Sequence, residues 1–391
     1  MHAFYRDNKE FKQTMRIGLL TPELPPGPAG GIGTFTDTLA RALTARGIET
    51  TVILVGQESH EQPSERPYHV VEVVHRSPPK LGWFTLRREI QKTLRSLVKK
   101  GQIDVLEAPE WLGLTAGVRP GVPVAIRCHG SGTYFADVLK EHVRTSVRIA
   151  ERVALSNAAS IAAVSSFTAT RTMSLFNLST DIRTIHNAVD PARYSFSPPN
   201  SSKHLLYFGS IVRKKGVLDL AEAFSTTAAE YPEAHLTVLG RDVQDHRTGN
   251  ASTSEMMRSY WTPQVISMVD QVGSVQPTQV PNYIAAARAC VMPSYAEALP
   301  FAWLEAMAQG RAVIGYATPW AQEIVRTGVD GLLVEVGDTA ALALAMNTIL
   351  EDYALAQKLG TAARERIKEC FDLKDLVDAT IDWYTELLAK G

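Results

Sequence analysis

Two glutamates, Glu297 and Glu305, stand eight residues apart in the stretch SYAEALPFAWLEAMAQG, residues 294–310. Pro300 suits the first turn of a helix, where its missing N–H costs nothing, and Gly310 suits the residue past the end. Peptide N–H groups around Ala298, Leu299 and Phe301 would then point out of a helix N-terminus, a seat for a phosphate or diphosphate. Glu305 lies roughly 7.5 Å further along the axis, at about 1.5 Å per residue. That distance suits a ribose whose hydroxyls a carboxylate can accept, with Glu297 facing whatever hangs from the other phosphate. A plainer reading also stands: glutamates near a helix start complement its dipole, worth roughly a few tenths of a kcal/mol.

Three further stretches have residue types fit for the same ligand. GSIVRKKG (209–216) sets Gly209, Arg213, Lys214 and Lys215 at a strand-to-helix turn, where cations can neutralise a diphosphate leaving group or simply be solvated. GGIG (30–33) offers Gly31 and Gly33 for close backbone approach at a helix start. It is not a full G-x-G-x-x-G fingerprint, because Phe35 and Thr36 fill the later positions. IRCHGSGTYF (126–135) ends a strand at His129, which can contact a substrate or serve the core. Trp83, Trp111, Tyr134 and Phe135 can stack on a sugar ring or be buried aromatics. Asp-x-Asp, H-E-x-x-H, G-x-S-x-G and Walker patterns do not occur. A diphosphate would therefore be neutralised by side chains and helix dipoles, with no metal or other cofactor expected.

The elements around these stretches must place them. MRIGLLTPE, a glycine turn, the helical TFTDTLARALTARG and the strand TTVILVG form a βαβ unit, which implies a parallel sheet. Strands at 102–109, 122–128 and 159–166 continue the alternation, with helices over about 84–100 and 146–158. The pattern restarts with KHLLYFGS (203–210) and continues through strands at 234–240, 287–294, 312–317 and 331–338. The chain closes with helical stretches over 339–368, with a break, and 373–389. The expected organisation is a polar extension over 1–14, an α/β domain over 15–194, a Pro/Ser/Asn-rich linker over 195–203, and a second α/β domain over 204–370. A last helix over 371–391 can cross back to the first domain. Ligands of doubly wound sheets bind at the carboxyl ends of the strands.

Composition narrows the class. With 391 residues, 45% hydrophobic, 21% charged and a net charge of −1, the chain reads as a two-domain globular protein without the basic excess of a nucleic-acid binder. Cys128, Cys290 and Cys370 are far apart and suggest no disulfide framework. No apolar leader or membrane span is evident, so a cytoplasmic location is expected. The helix within 83–101 carries an apolar side and several basic residues. It can pack on the sheet or lie peripherally on anionic lipid at the inner face of a membrane.

The stretch 292–338, MPSYAEALPFAWLEAMAQGRAVIGYATPWAQEIVRTGVDGLLVEVGD, resembles the donor-binding segment of retaining GT-B glycosyltransferases of family 4 (glycosyl transferases group 1). The family pattern is Glu-x7-Glu, here Glu297 to Glu305, followed by Glu-Ile-Val, here Glu323, Ile324 and Val325. GGIG, the RCHG strand end, AVSS (163–166) and IHNAVD (185–190) fall at the family's other landmarks, so the resemblance spans roughly 15–385. It implies a GT-B fold, two doubly wound Rossmann-like domains facing across a cleft. It further implies metal-independent, front-face transfer, with retention, from a nucleotide-diphosphate sugar, UDP-sugar favoured. The acceptor would be a hydroxyl of a saccharide, a lipid-linked glycan or a small molecule, met on the side of Trp111, Tyr134 and Asn187.

By the same resemblance, Glu305 binds the ribose, and Glu297 with the amides around Ala298, Leu299, Pro300 and Phe301 holds sugar and phosphates. Gly31, with Gly33, approaches the diphosphate, His129 sits beside the transferred sugar, and Lys215 matches the lysine of the family's K-G turn, which Gly209 opens. Two departures stand out. Ser210 occupies the position where the family often has arginine, a charge Arg213 can supply from three residues on. The segment 241–261 replaces a short glycine-rich turn. A phosphorylase, a sugar-nucleotide epimerase and a non-catalytic nucleotide- or carbohydrate-binding subunit are the rival readings.

Overall fold

The computed structural model describes residues 15–27, 29–56, 66–74 and 82–390, so the extension expected over 1–14 lies outside the described residues. They pack as two units. One comprises residues up to Asn187 together with the stretch from Lys374 onward, the other residues Ala188–Leu373.

The first unit is built on a seven-stranded sheet of β1 (Arg16–Thr21), β2 (Glu49–Val55), β3 (His69–Val73), β4 (Val105–Pro109), β5 (Val124–Cys128), β6 (Ser160–Ala163) and β7 (Arg183–Thr184). Its spatial order is β3-β2-β1-β4-β5-β6-β7, parallel throughout. The second unit has six parallel strands, β8 (His204–Phe208), β9 (His235–Leu239), β10 (Val269–Gly273), β11 (Ala289–Val291), β12 (Ala312–Tyr316) and β13 (Gly331–Val334), in the order β10-β9-β8-β11-β12-β13. Both orders reverse direction once, between β1 and β4 and between β8 and β11. At that reversal the loops after the two central strands diverge and leave a crevice for a ligand. The GGIG turn and the segment from Glu110 follow β1 and β4, while the basic turn 209–216 and the glutamate loop 292–300 follow β8 and β11.

Continuous apolar runs such as ETTVILV make strands buried on both faces, as parallel sheets require. Helix Gly82–Lys99 spends Ile90, Leu94 and Leu97 on the core of the first unit, so this face packs on the sheet and is not available to lipid. Among the described residues no helix is long and apolar enough to cross a membrane. The break in the closing helical stretch falls at Asp352, whose extended backbone (φ −99°, ψ 93°) separates helices Thr339–Glu351 and Tyr353–Cys370. Its carboxylate accepts the Leu355 N–H at 2.8 Å, a cap for the second helix.

At the level of elements the structure adds to and departs from the sequence reading. The stretch 195–203 belongs to the second unit: Ser197 accepts from the buried Arg311 (Nη1 to O, 2.7 Å; Nη2 to Oγ, 2.8 Å), and Arg288 Nε donates to the Asn200 carbonyl at 3.2 Å. Buried arginines seeking carbonyls tie down a segment whose composition suggested a linker. The short strands β3, β7 and β10 were not anticipated, because their partly exposed positions break the apolar runs. The polar segment after β9 contains helix Thr253–Arg258, capped by Ser252, with Pro263–Ile266 following.

Helix Leu373–Ala389 belongs to the first unit, where it completes a buried polar cluster. Arg127, fully buried on β5, donates to both oxygens of Glu107 on β4 at 2.9 and 3.0 Å and to Thr380 Oγ1 at 3.1 Å. The Tyr384 hydroxyl donates to Glu107 at 2.7 Å, and the Trp383 indole to Ser160 Oγ at 2.9 Å. A buried charge pair needs such extra partners to offset its desolvation.

Candidate active site

In the second unit the β8 and β11 loops are locked together by backbone. Gly216 has φ +67°, and a Cβ there would lie 1.9 Å from the Pro293 carbonyl oxygen, so only glycine permits the approach. The Tyr295 N–H donates to the Lys214 carbonyl at 2.9 Å. Tyr295 and Tyr316 both donate their hydroxyls to the Asp219 carboxylate in the first turn of helix Val217–Glu230, which anchors the loop two residues before Glu297. Across this junction Lys215 Nζ meets Glu297 Oε1 at 2.7 Å. Burial opposes ionisation of Glu297, but Lys215 and then Lys214 outweigh it and hold its carboxyl below the usual range. Gly209, at φ +140°, passes close to the Lys215 side chain.

Helix Phe301–Ala308 follows, with Pro300 as its N-cap residue rather than in its first turn, and Gly310 left-handed (φ +75°) just past its end. The shift has a simple cause, since Pro300 adopts ψ 129° and only Phe301 begins the helical bend. The first-turn N–H groups have no acceptor within the helix. Ala298 and Leu299 are buried in the preceding loop. Glu305 points from the middle of the helix to the Tyr194 hydroxyl, which sequence reasoning missed because the contact spans distant segments of one unit. Burial pushes the Glu305 carboxyl up to about 7, against the lowering effects of Tyr194 and Arg193.

Arg213 is placed differently from Lys215. Its Nε and Nη2 donate to the two oxygens of Asp245 at 2.9 Å each. Asp245 is buried at 3% exposure, and this hydrogen bonding holds its carboxyl far below the usual range. Thr248 donates its N–H to the same carboxylate at 3.1 Å and its hydroxyl at 2.5 Å. The polar segment after β9 thus supplies a counter-ion to Arg213, so much of the charge expected to stand in for an arginine at Ser210 is already neutralised.

In the first unit His129 follows β5. Its ring lies edge-on to Phe35, with centroids 4.6 Å apart, and lines a cavity of about 10 Å³ together with Glu107, Pro109 and Ile32. That volume takes about one water molecule. Burial, and secondarily Arg127, push the imidazole down to about 3, so it is neutral at physiological pH. Gly31 opens helix Gly31–Ala45, and a Cβ there would meet nothing within 4 Å. Gly33 is not open to a ligand: its N–H donates to Glu23 Oε1 at 2.9 Å, and a Cβ would strike the Glu23 carbonyl and Ala29.

Of the acceptor-side aromatics, Trp111 is partly exposed and edge-on to Phe135 at 6.4 Å. Tyr134 is fully buried, edge-on to Phe135 and Phe167, so its ring cannot stack on a sugar. Asn187 is buried at 4% exposure. Trp83, 52% exposed, carries the Arg87 guanidinium 3.7 Å above its ring.

Comparison with known proteins bears on the family and the fold. The family described as Glycosyl transferases group 1 matches residues 191–366, and Glycosyltransferase Family 4 matches residues 29–193. A glycogen synthase of Mycobacterium tuberculosis is 26% identical over 95% of this chain and 94% of its own length. A D-inositol 3-phosphate glycosyltransferase of Nocardioides sp. is 24% identical over 93% of this chain and 87% of the relative. Among solved structures, sucrose-phosphate synthase from Thermosynechococcus elongatus superposes with a TM-score of 0.83 at 22% identity, covering 96% of this chain and all of that one. HepE of Anabaena, solved with UDP and glucose, gives a TM-score of 0.76 at 19% identity over 95% of this chain and all of that one. The fold is GT-B, and the chain belongs to the family 4 glycosyltransferases. It is an enzyme that uses a nucleotide-sugar donor.

Proposed function

We propose that this enzyme transfers a sugar from a UDP-sugar to an acceptor hydroxyl with retention of configuration and without a protein-held metal. The observation that carries the reading is the Lys215–Glu297 pair locked beside the N-terminus of the helix that bears Glu305. Glu305 takes the ribose hydroxyls, Glu297 and the loop amides hold the sugar and phosphates, and His129 attends the sugar as a neutral imidazole. The anomeric C–O bond to phosphate breaks with its electron pair leaving on the nucleoside diphosphate. Lys215, assisted by Lys214 and the helix N-terminus, stabilises that charge, a contribution of several kcal/mol in sites of this kind. The acceptor oxygen bonds the same face of the sugar carbon, and its proton passes to the departing phosphate. UDP is favoured because HepE has been solved with UDP and with UDP-glucose. The acceptor class is a saccharide, a lipid-linked glycan or a small molecule, with Trp111 and Phe135 as the partly exposed rings available to it.

The test is a thermal-shift panel of UDP, GDP, ADP and TDP without metal, repeated with Glu305→Ala. A ligand at 100 times its Kd stabilises the fold by about 2.7 kcal/mol. A shift by UDP that the substitution abolishes supports the assignment, whereas no shift by any nucleotide overturns it. Product of inverted configuration, read by NMR of the anomeric proton, would sink the stereochemical part.

A further inference from the structure

Two buried carboxylates in the first unit form no ion pair among the described residues, and the reaction above does not use them. Glu110, fully buried just past β4, accepts the His129 N–H at 2.9 Å. Its other oxygen, Oε1, is buried with no hydrogen-bond partner among the described residues. Glu151, fully buried on helix Thr145–Ser156, accepts Gly132 N–H at 2.8 Å, Thr133 N–H at 3.1 Å and the Thr133 hydroxyl at 2.6 Å. Ser131 Oγ accepts the Tyr134 N–H at 3.0 Å. The amides of His129, Gly132 and Thr133 are therefore held by side chains from two other elements, and that of Tyr134 by Ser131 within the loop. Gly130 adds a steric clamp, because at φ +92° it packs under Phe135, whose ring would lie 2.8 Å from a Cβ.

Buried carboxylates are costly unless their oxygens are satisfied. A fold that needed only a turn here could make it without them. We propose that Glu110 and Glu151 are positioning residues: they fix the peptide of 129–133 so that the His129 ring is held against Phe35 in one orientation at the end of β5. The proposal rests on His129 attending the transferred sugar, but its structural content does not depend on turnover. Loss of Glu110 frees the His129 amide, lets the loop relax and moves the imidazole out of its apolar setting. The helix N-terminus at Gly132 is filled by Glu151 in the same arrangement, so this loop is not an anion site.

The experiment compares wild type with Glu110→Ala, Glu110→Gln and Glu151→Gln, reading amide hydrogen exchange over 126–138 and the NMR titration of His129. In the wild type these amides are protected, and the imidazole does not titrate between pH 5 and pH 8. In Glu110→Ala the protection of residues 129–134 falls and His129 titrates near the ordinary value of about 6.5. With an active donor, kcat falls by about 10²-fold, the cost of an ångström-scale misplacement, while the nucleotide Kd changes less than about twofold. Glu110→Gln keeps an oxygen for the His129 amide and recovers most of the loss. Unchanged exchange and an unchanged His129 titration in a folded Glu110→Ala protein overturn the proposal. If the wild type shows no transfer, the functional reading fails, while the exchange and titration results still decide this one.

Discussion

Lys215 and Arg213 stand two residues apart, yet their surroundings assign them different work. Lys215 meets Glu297, which lies in the loop leading into the Glu305 helix, and Arg213 is held bidentately by the buried Asp245. Lys215→Ala should therefore lower kcat by about 10²–10³-fold, as removal of one stabilising donor does elsewhere. Arg213→Ala should cost about tenfold or less, because Asp245 already neutralises it. Initial-rate assays with one donor decide this, and equal losses would show that Arg213 contacts the leaving group directly. Lys215→Ala also leaves the buried Glu297 carboxylate without its ion pair. The melting temperature should fall, and adding Glu297→Gln should restore part of it.

Glu305 gives a pH prediction. Its folded value of about 7 lies above the ordinary 4.5, so between those values the folded state holds a proton that the unfolded state has lost. Stability from this group is present below pH 4.5, declines as pH rises to 7, and is flat above. Glu305→Gln should therefore raise the melting temperature at pH 8 and have little effect at pH 4. The gain is at most about 3 kcal/mol, at roughly 1.4 kcal/mol per pH unit. Thermal denaturation across pH without nucleotide reads it out, and a gain largest at acid pH would contradict the assignment.

At the scale of elements, the turn after β8 and the loop after β11 are joined by close backbone contacts. Gly216→Ala places a methyl carbon where the Pro293 carbonyl now lies and forces a left-handed φ on a residue with a Cβ. It should destabilise the second unit by at least about 2 kcal/mol and abolish nucleotide binding, measurable by urea titration and by thermal shift. Much at this scale was legible in the sequence. The apolar strand runs, the glycine turn of GGIG and the stretch from Glu297 to Glu305 are local patterns, and local patterns determine helices, strands and turns. The short strands β3, β7 and β10 were not legible, because half-buried strands lack an unbroken apolar run. Asp245, Tyr194, Glu110 and Glu151 were not legible either, since no spacing rule links them to the residues they hold.

At the scale of the whole molecule, the chain forms its second unit as an insertion between residues 187 and 374 of the first. A nucleoside diphosphate should therefore slow hydrogen exchange at 209–216 and 294–305 of the second unit while leaving the central strands of the first sheet unchanged. Uniform protection across both sheets would argue against a donor site built on the β8 and β11 loops. Sequence by itself determined the alternation of strands and helices, and with it two parallel sheets, because side-chain periodicity and right-handed crossovers leave few other solutions. It also marked the paired glutamates and the basic turn as a place for a diphosphate. Only the tertiary structure decided which cation faces which carboxylate, that Tyr134 is core rather than platform, and that 195–203 is anchored by Arg288 and Arg311. Those outcomes depend on burial and on the demand of buried polar groups for partners, which residues distant in sequence supply only after the chain has folded.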